Sequence, residues 1–153
     1  MHQTAAQLAA ARVGRYSPQS LAGLVSLTFL VVGIVAFVPE VTQDYTALEW
    51  WMNGSQAQLA DLFQVSILHN LLHLGFGAAG LVLARRAVTA RLYLLGGGVA
   101  YLGLWVYRLA IDQSSDANFI PIDEAGNWLH FGVGLGMLGL AYLAARAQPG
   151  DAT

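Results

Sequence analysis

The chain has 153 residues, a length that suits one domain, and a formal net charge of −2. Hydrophobic residues make up 56% of it and charged residues only 10%, against about 25% charged in an ordinary soluble domain; that shortage of polar surface excludes a soluble globular protein. Cysteine is absent, which excludes disulfides, thiolate metal sites and cysteine nucleophiles, and the seven basic residues are all arginines scattered along the chain, which leaves no patch for nucleic acid.

Residues 1–20 place Arg12 and Arg15 ahead of an apolar run. That run is longer than a signal-peptide core, and it stops at Val38-Pro39-Glu40 with no small-residue cleavage site. It therefore reads as an uncleaved first helix over residues 18–38, preceded by a short, alanine-rich amphipathic lead. Pro18 stands in the first turn, where its missing N–H costs nothing.

Residues 39–66 form the longest connection and hold Glu40, Asp44, Glu49, Asp61 and the pair Trp50-Trp51. In its later part Leu59, Leu62, Phe63 and Ile67 fall near helical spacing, so Ser55 is a candidate cap for a short helix. The alternative is a solvated loop. The two tryptophans suit the headgroup level of a bilayer.

Three further segments approach the roughly 20 apolar residues that span a bilayer: residues 67–84, 92–111 and 127–145, separated by an inner loop 85–91 and an outer loop 112–126. Four crossings put Arg12, Arg15, Arg85, Arg86, Arg91 and Arg146 on one side. Glu40, Asp44, Glu49, Asp61, Asp112, Asp116, Asp123 and Glu124 fall on the other. Arginine marks the cytoplasmic face, so both termini are expected inside, in a bacterial inner membrane. Arg108 is the exception, one turn from the outer end of the third segment. It either snorkels to the interface or pairs with Asp112, Asp123 or Glu124.

The expected fold is thus all-α, one polytopic membrane domain over residues 1–153. It divides into two helix pairs, because the second helix of each pair opens with the same words: Asn70-Leu-Leu-His73 and Asn127-Trp-Leu-His130. Aligning them also matches Gly75 with Gly132 and Gly77 with Gly134. Both pairs run in-to-out and then out-to-in, so the duplication is parallel about an axis along the membrane normal. If helices two and four meet at that axis, Asn70 and His73 face Asn127 and His130. Helical periodicity puts His69, Asn70, His73 and Gly77 on one stripe and Asn127, His130 and Gly134 on another. Gly132-x-x-x-Gly136 is a small-xxx-small pattern of the kind that lets helices approach closely. A polar cluster over a tight glycine interface is expected, with His69 its asymmetric member, since Gly126 holds the matching place.

On these motifs, HNLLHLGFG and GNWLHFGVG, with ARLYLLGGGVAYLGLWVY as the third helix, the chain resembles a family of small bacterial four-helix membrane proteins known only as a domain of unknown function. The resemblance runs from Ser17 to Ala145 and implies the fold but no reaction. The departure is the connection 39–64, which is long for the family and suggests a partner.

Four uses of the polar cluster are open. The first is structural: His69, Asn70, His73, Asn127 and His130 hydrogen-bond across helices in a non-enzymatic accessory subunit, its partners being lipids and other membrane subunits or further copies of itself. The second is a haem or chlorophyll-type pigment, ligated by histidine with the glycines at 75, 77, 132 and 134 making room. The third is a metal held by His69, His73 and His130 with Asp123 or Glu124, although no HExxH-type helix is present. The fourth is transport or pH sensing; no acidic residue lies deep in any helix to serve it. Because the first needs nothing beyond the chain, no catalytic residue, cofactor or metal is expected. Tyr101, Trp105 and Tyr107 on helix three are assigned to packing ahead of a lipid or quinone surface.

Overall fold

The computed structural model describes residues 17–51, 54–112 and 122–146. The alanine-rich lead with Arg12 and Arg15, and Asp116 in the second outer loop, lie outside them. Four helices account for most of the described chain: α1 Pro18–Val35, α2 Ile67–Leu83, α3 Ala87–Ala110 and α4 Glu124–Arg146. Three of them, α1, α3 and α4, are long and apolar enough to cross a bilayer; α2 is apolar but has 17 residues.

Each helix begins where a side chain accepts an otherwise orphaned N–H or the chain turns sharply. Ser17 Oγ accepts from Ser20 N–H at 3.2 Å, and Ser66 Oγ accepts from His69 N–H at 3.1 Å. At α4 the acceptor is Asp123 Oδ1, bonded to Gly126 N–H at 3.1 Å, so the helix starts at Glu124, three residues before the apolar stretch that announces it. The third helix likewise begins at Ala87 instead of at Leu92, and includes Arg91. Thr89 Oγ1 donates to the carbonyls of Leu83 (2.5 Å) and Arg86 (3.1 Å) and ties the tight inner turn together. Hydropathy misses both starts because the first turns project beyond the apolar part of each helix.

The first connection is not helical. Thr42–Gln43 (β1), Gln58–Leu59 (β2) and Phe63–Gln64 (β3) form a small antiparallel sheet in that order, with Leu59 paired to Phe63 and Thr42 to Leu59. Ala60 and Asp61, at φ 53° and 57°, are the central residues of a turn closed by Leu62 N–H onto the Leu59 carbonyl at 3.2 Å, both in the left-handed region that such a turn requires. Ser55 does not cap a helix. It is fully buried and donates to the Val65 carbonyl at 2.6 Å. Ala57 and Val65 pack with Ala36 at the end of α1 in a small core of their own. Helical spacing of Leu59, Leu62 and Phe63 misled because strand pairing and this core override local periodicity. Trp50 and Trp51 are both exposed on the same loop. Its carbonyls serve α2 as well: Glu49 accepts from Ile67 N–H at 2.9 Å and Trp50 from Leu68 N–H at 3.2 Å.

The main core holds Leu21, Ala22 and Phe29 of α1, Tyr93, Leu94 and Tyr101 of α3, and Met137, Ala141 and Ala144 of α4. α1 packs along α2, α3 packs along α4, and the two pairs meet chiefly through α1 against α3. Helices two and four therefore do not meet at the centre, as the duplicated motif suggested; α1 and α3 do, and α2 and α4 flank them. Elsewhere on the helices the surface is apolar, with Leu24, Leu27, Leu92, Val99 and Leu135 about half exposed or more. A soluble protein would have to remove these side chains from water; the hydrocarbon region of a bilayer accommodates them as they stand.

Candidate functional site

The five motif residues lie at the end of the bundle where α2 and α4 begin. Asn70, Asn127 and His130 are buried, and His69 and His73 are partly so. Asn70 Nδ2 donates to the Ala36 carbonyl at 3.1 Å, across thirty-four positions of sequence, and so fastens the start of α2 to the end of α1. His73 Nδ1 donates to the His69 carbonyl one turn back, at 3.1 Å.

The imidazoles are layered. His69 stacks on His73 with centroids 4.4 Å apart, and lies nearly parallel to His130 at 6.4 Å with 19° between the planes. Beneath them are two aromatic rings from the central helices. Phe29 of α1 lies 5.3 Å from His73, Tyr101 of α3 lies 5.1 Å from His130, and Phe29 and Tyr101 are 5.4 Å from one another. Phe76 continues the column inward, 4.8 Å from both Phe29 and Tyr93. The motif residues of α2 and α4 are thus brought together by side chains reaching across α1 and α3.

Sequence spacing did not reveal Phe29 as a member of this site. A signal exists, because Phe29 precedes Leu30 as Tyr101 precedes Leu102, and those two leucines occupy matching positions. A Cβ added at Gly77 would meet the Leu30 side chain at 2.8 Å, and one added at Gly134 would meet the Leu102 side chain at 2.8 Å. The room at these two glycines is filled by leucine. The glycines that let helices approach are Gly33, Gly77, Gly80, Gly97, Gly98 and Gly134; at Gly80 a Cβ would run into Ser26 Oγ and the Tyr93 ring. Gly75, Gly132 and Gly136 have nothing within 4 Å of an added Cβ, so the Gly132-x-x-x-Gly136 pattern faces outward instead of forming the internal interface expected of it.

Three polar atoms in this layer have no hydrogen-bond partner: Asn70 Oδ1, Asn127 Oδ1 and His130 Nδ1. Among the described residues, no group of three or more His, Asp or Glu side chains is arranged to hold a metal ion. Asp123 caps α4, and Glu124 is exposed in its first turn. Arg108, half-buried, donates from Nε to the Ile122 carbonyl at 2.7 Å, which ties the C-terminal end of α3 to the residues preceding α4. Asp112 is exposed two residues past the end of α3. Trp105 packs on Phe131 at 4.7 Å and lies 6.1 Å from Trp128, and Tyr101 is buried in the core.

Apolar helices around a small buried polar layer define a polytopic α-helical membrane protein. The sequence profile described as "Domain of unknown function (DUF4383)" matches residues 19–143. The chain belongs to that family. No curated protein and no solved structure matches it.

Proposed function

We propose that this is a non-enzymatic accessory subunit that associates in the membrane with further helices, a second copy of itself included. The observation that carries this reading is the outward row on α4. Gly132, Gly136 and Gly139 fall at i, i+4 and i+7, all three are exposed, and an added Cβ on any of them would meet nothing within 4 Å. Three glycines on one lipid-facing stripe lower helix propensity without serving the chain's own packing. In a bilayer such a stripe lets another helix approach closely, where van der Waals contact drives association. The polar motif residues support the same reading, since the Asn70 amide fastens α2 to the end of α1. So do the matched contacts of the two helix pairs, Ser66 with Asp123, Leu30 with Leu102 and Phe29 with Tyr101, which fit copies of one unit whose role is scaffolding.

Purification of the whole chain in mild detergent, followed by native mass measurement, tests it. The wild-type protein is expected above the monomer mass. Gly132→Leu with Gly136→Leu is expected to weaken association on the order of tenfold while leaving thermal stability unchanged, because neither position touches the chain's interior. A strictly monomeric wild-type protein with no co-purifying subunit would sink the proposal.

The topology proposed with it is both termini cytoplasmic in a bacterial inner membrane. Arg85, Arg86 and Arg91 sit at the α2–α3 turn and Arg146 at the end of α4, while Glu40, Asp44, Glu49 and Asp61 lie in the connection at the opposite ends of α1 and α2. That segregation supports the orientation. The chain has no cysteine, so single substitutions report cleanly. In intact cells a membrane-impermeant maleimide is expected to label Asp44→Cys and spare Arg85→Cys; the reverse pattern rejects the orientation.

A further inference from the structure

We infer that the outer layer of the bundle holds one small hydrogen-bond donor, a hydride of the size of water or ammonia, between His130 and His69 above Tyr101. The inference does not depend on whether the protein associates with partners.

It starts from His130, which is 6% exposed and whose Nδ1 has no partner. Helical geometry offers such a nitrogen an easy one. His73, at the matching place in α2, turns its Nδ1 back onto the carbonyl four residues earlier. His130 does not do this. Its ring leans against Tyr101 and lies nearly parallel to His69. The 6.4 Å between those centroids contrasts with 4.4 Å in the His69–His73 stack, so the first pair is outside ring contact. It is within reach of a single bridging atom: two hydrogen bonds of about 2.9 Å with one oxygen or nitrogen between them link nitrogens up to roughly 6 Å apart.

The surroundings define what would bind. The unpaired buried atoms of this layer include two amide oxygens, Asn70 Oδ1 and Asn127 Oδ1, each one turn or less from a histidine of the site. Oxygens of that kind only accept, and an imidazole nitrogen without its proton accepts as well. Among the described residues no carboxylate joins the cluster; Asp123 is engaged at the N-terminus of α4. The aromatic face of Tyr101 supplies an apolar floor. Acceptors over an aromatic floor select a compact donor, and buried polar sites of this sort commonly hold a molecule with two to four polar partners. A desolvated divalent cation would want carboxylates or convergent imidazoles, and the described residues offer neither arrangement.

The test is solid-state NMR on the full chain, labelled with ¹⁵N-histidine and reconstituted in lipid, with His130→Gln used to assign its resonances. The expected result is a His130 Nδ1 shift characteristic of a hydrogen-bonded acceptor, with transfer from a slowly exchanging water proton, and a change in that shift in His69→Phe, which keeps the ring and removes its nitrogens. Adding ammonium chloride separates the two donors. An Nδ1 resonance that moves with ammonium assigns the site to ammonia or ammonium, and one that stays assigns it to water. His73 Nδ1, bonded to a carbonyl, is the internal control and should move in neither case. A protonated His130 Nδ1 bonded to the backbone, without water contact or ammonium response, overturns the inference in the wild-type protein alone, whatever the variants do.

Discussion

Gly77→Val is expected to be the most damaging single substitution in the chain, lowering stability by about 3 kcal/mol or more. An added Cβ at Gly77 lies 2.7 Å from the Ser26 carbonyl oxygen and 2.9 Å from the Leu30 backbone nitrogen. Both are main-chain atoms of a regular helix and cannot swing aside. The substitution must push α1 and α2 apart, and with them the Phe29–His73 contact and the Asn70 bond to Ala36. Gly75→Ala, two residues away, meets nothing within 4 Å and is expected to be neutral or slightly stabilising, since alanine is the better helix former. Thermal unfolding of the two variants in the same detergent checks the contrast. Equal effects would mean that α2 is rotated from the orientation described.

Asn70→Ala is expected to cost about 0.5–1.5 kcal/mol, more than Asn127→Ala. Asn70 is 1% exposed and its amide donates to Ala36, the residue that ends α1. Removing it leaves that carbonyl with one donor, the Thr42 hydroxyl at 3.1 Å, and takes away the bond by which α2 holds the end of α1 and the small core beside it. Asn127 is buried to a similar degree, but its Oδ1 has no partner and no bond from its amide joins α4 to another helix. The two asparagines share a motif and differ in what they hold. Denaturation midpoints for the two alanine variants and their double mutant measure the difference; an equal loss at both would show that the Ala36 bond contributes little. Interhelical hydrogen bonds in membranes average near 0.6 kcal/mol, and because Thr42 still donates to the Ala36 carbonyl the loss is expected near that value.

Several features of this molecule are legible in its residues because the physics behind them is local. Apolar length sets the number of helices, and polar or proline residues set their approximate ends. The Asn-x-x-His repeat marks the two helices that carry the polar layer, and Arg108 stands out as a single arginine near the end of α3, although its bond to the Ile122 carbonyl is not legible in the residues. Other features are not legible, for reasons that can be named. Gly132 and Gly136 look like an internal interface because spacing says only that small residues share a stripe; which way the stripe faces depends on the neighbouring helix. The loop residues Leu59, Leu62 and Phe63 keep a helical period by accident, and pairing with β1 and β3 together with burial of Ala57 and Val65 decides their conformation.

The polar layer shows the division most clearly. Sequence alone determined that His69, Asn70, His73, Asn127 and His130 lie at one depth, because they open two helices that run in the same direction in similar register. Only tertiary packing decided that α1 and α3 occupy the centre, that Phe29 and Tyr101 form the floor, and that His73 finds a carbonyl while His130 does not. Those outcomes depend on which helices touch, and helix contacts in a bilayer are chosen by surface shape, a property of the assembled side chains that one-dimensional spacing does not contain.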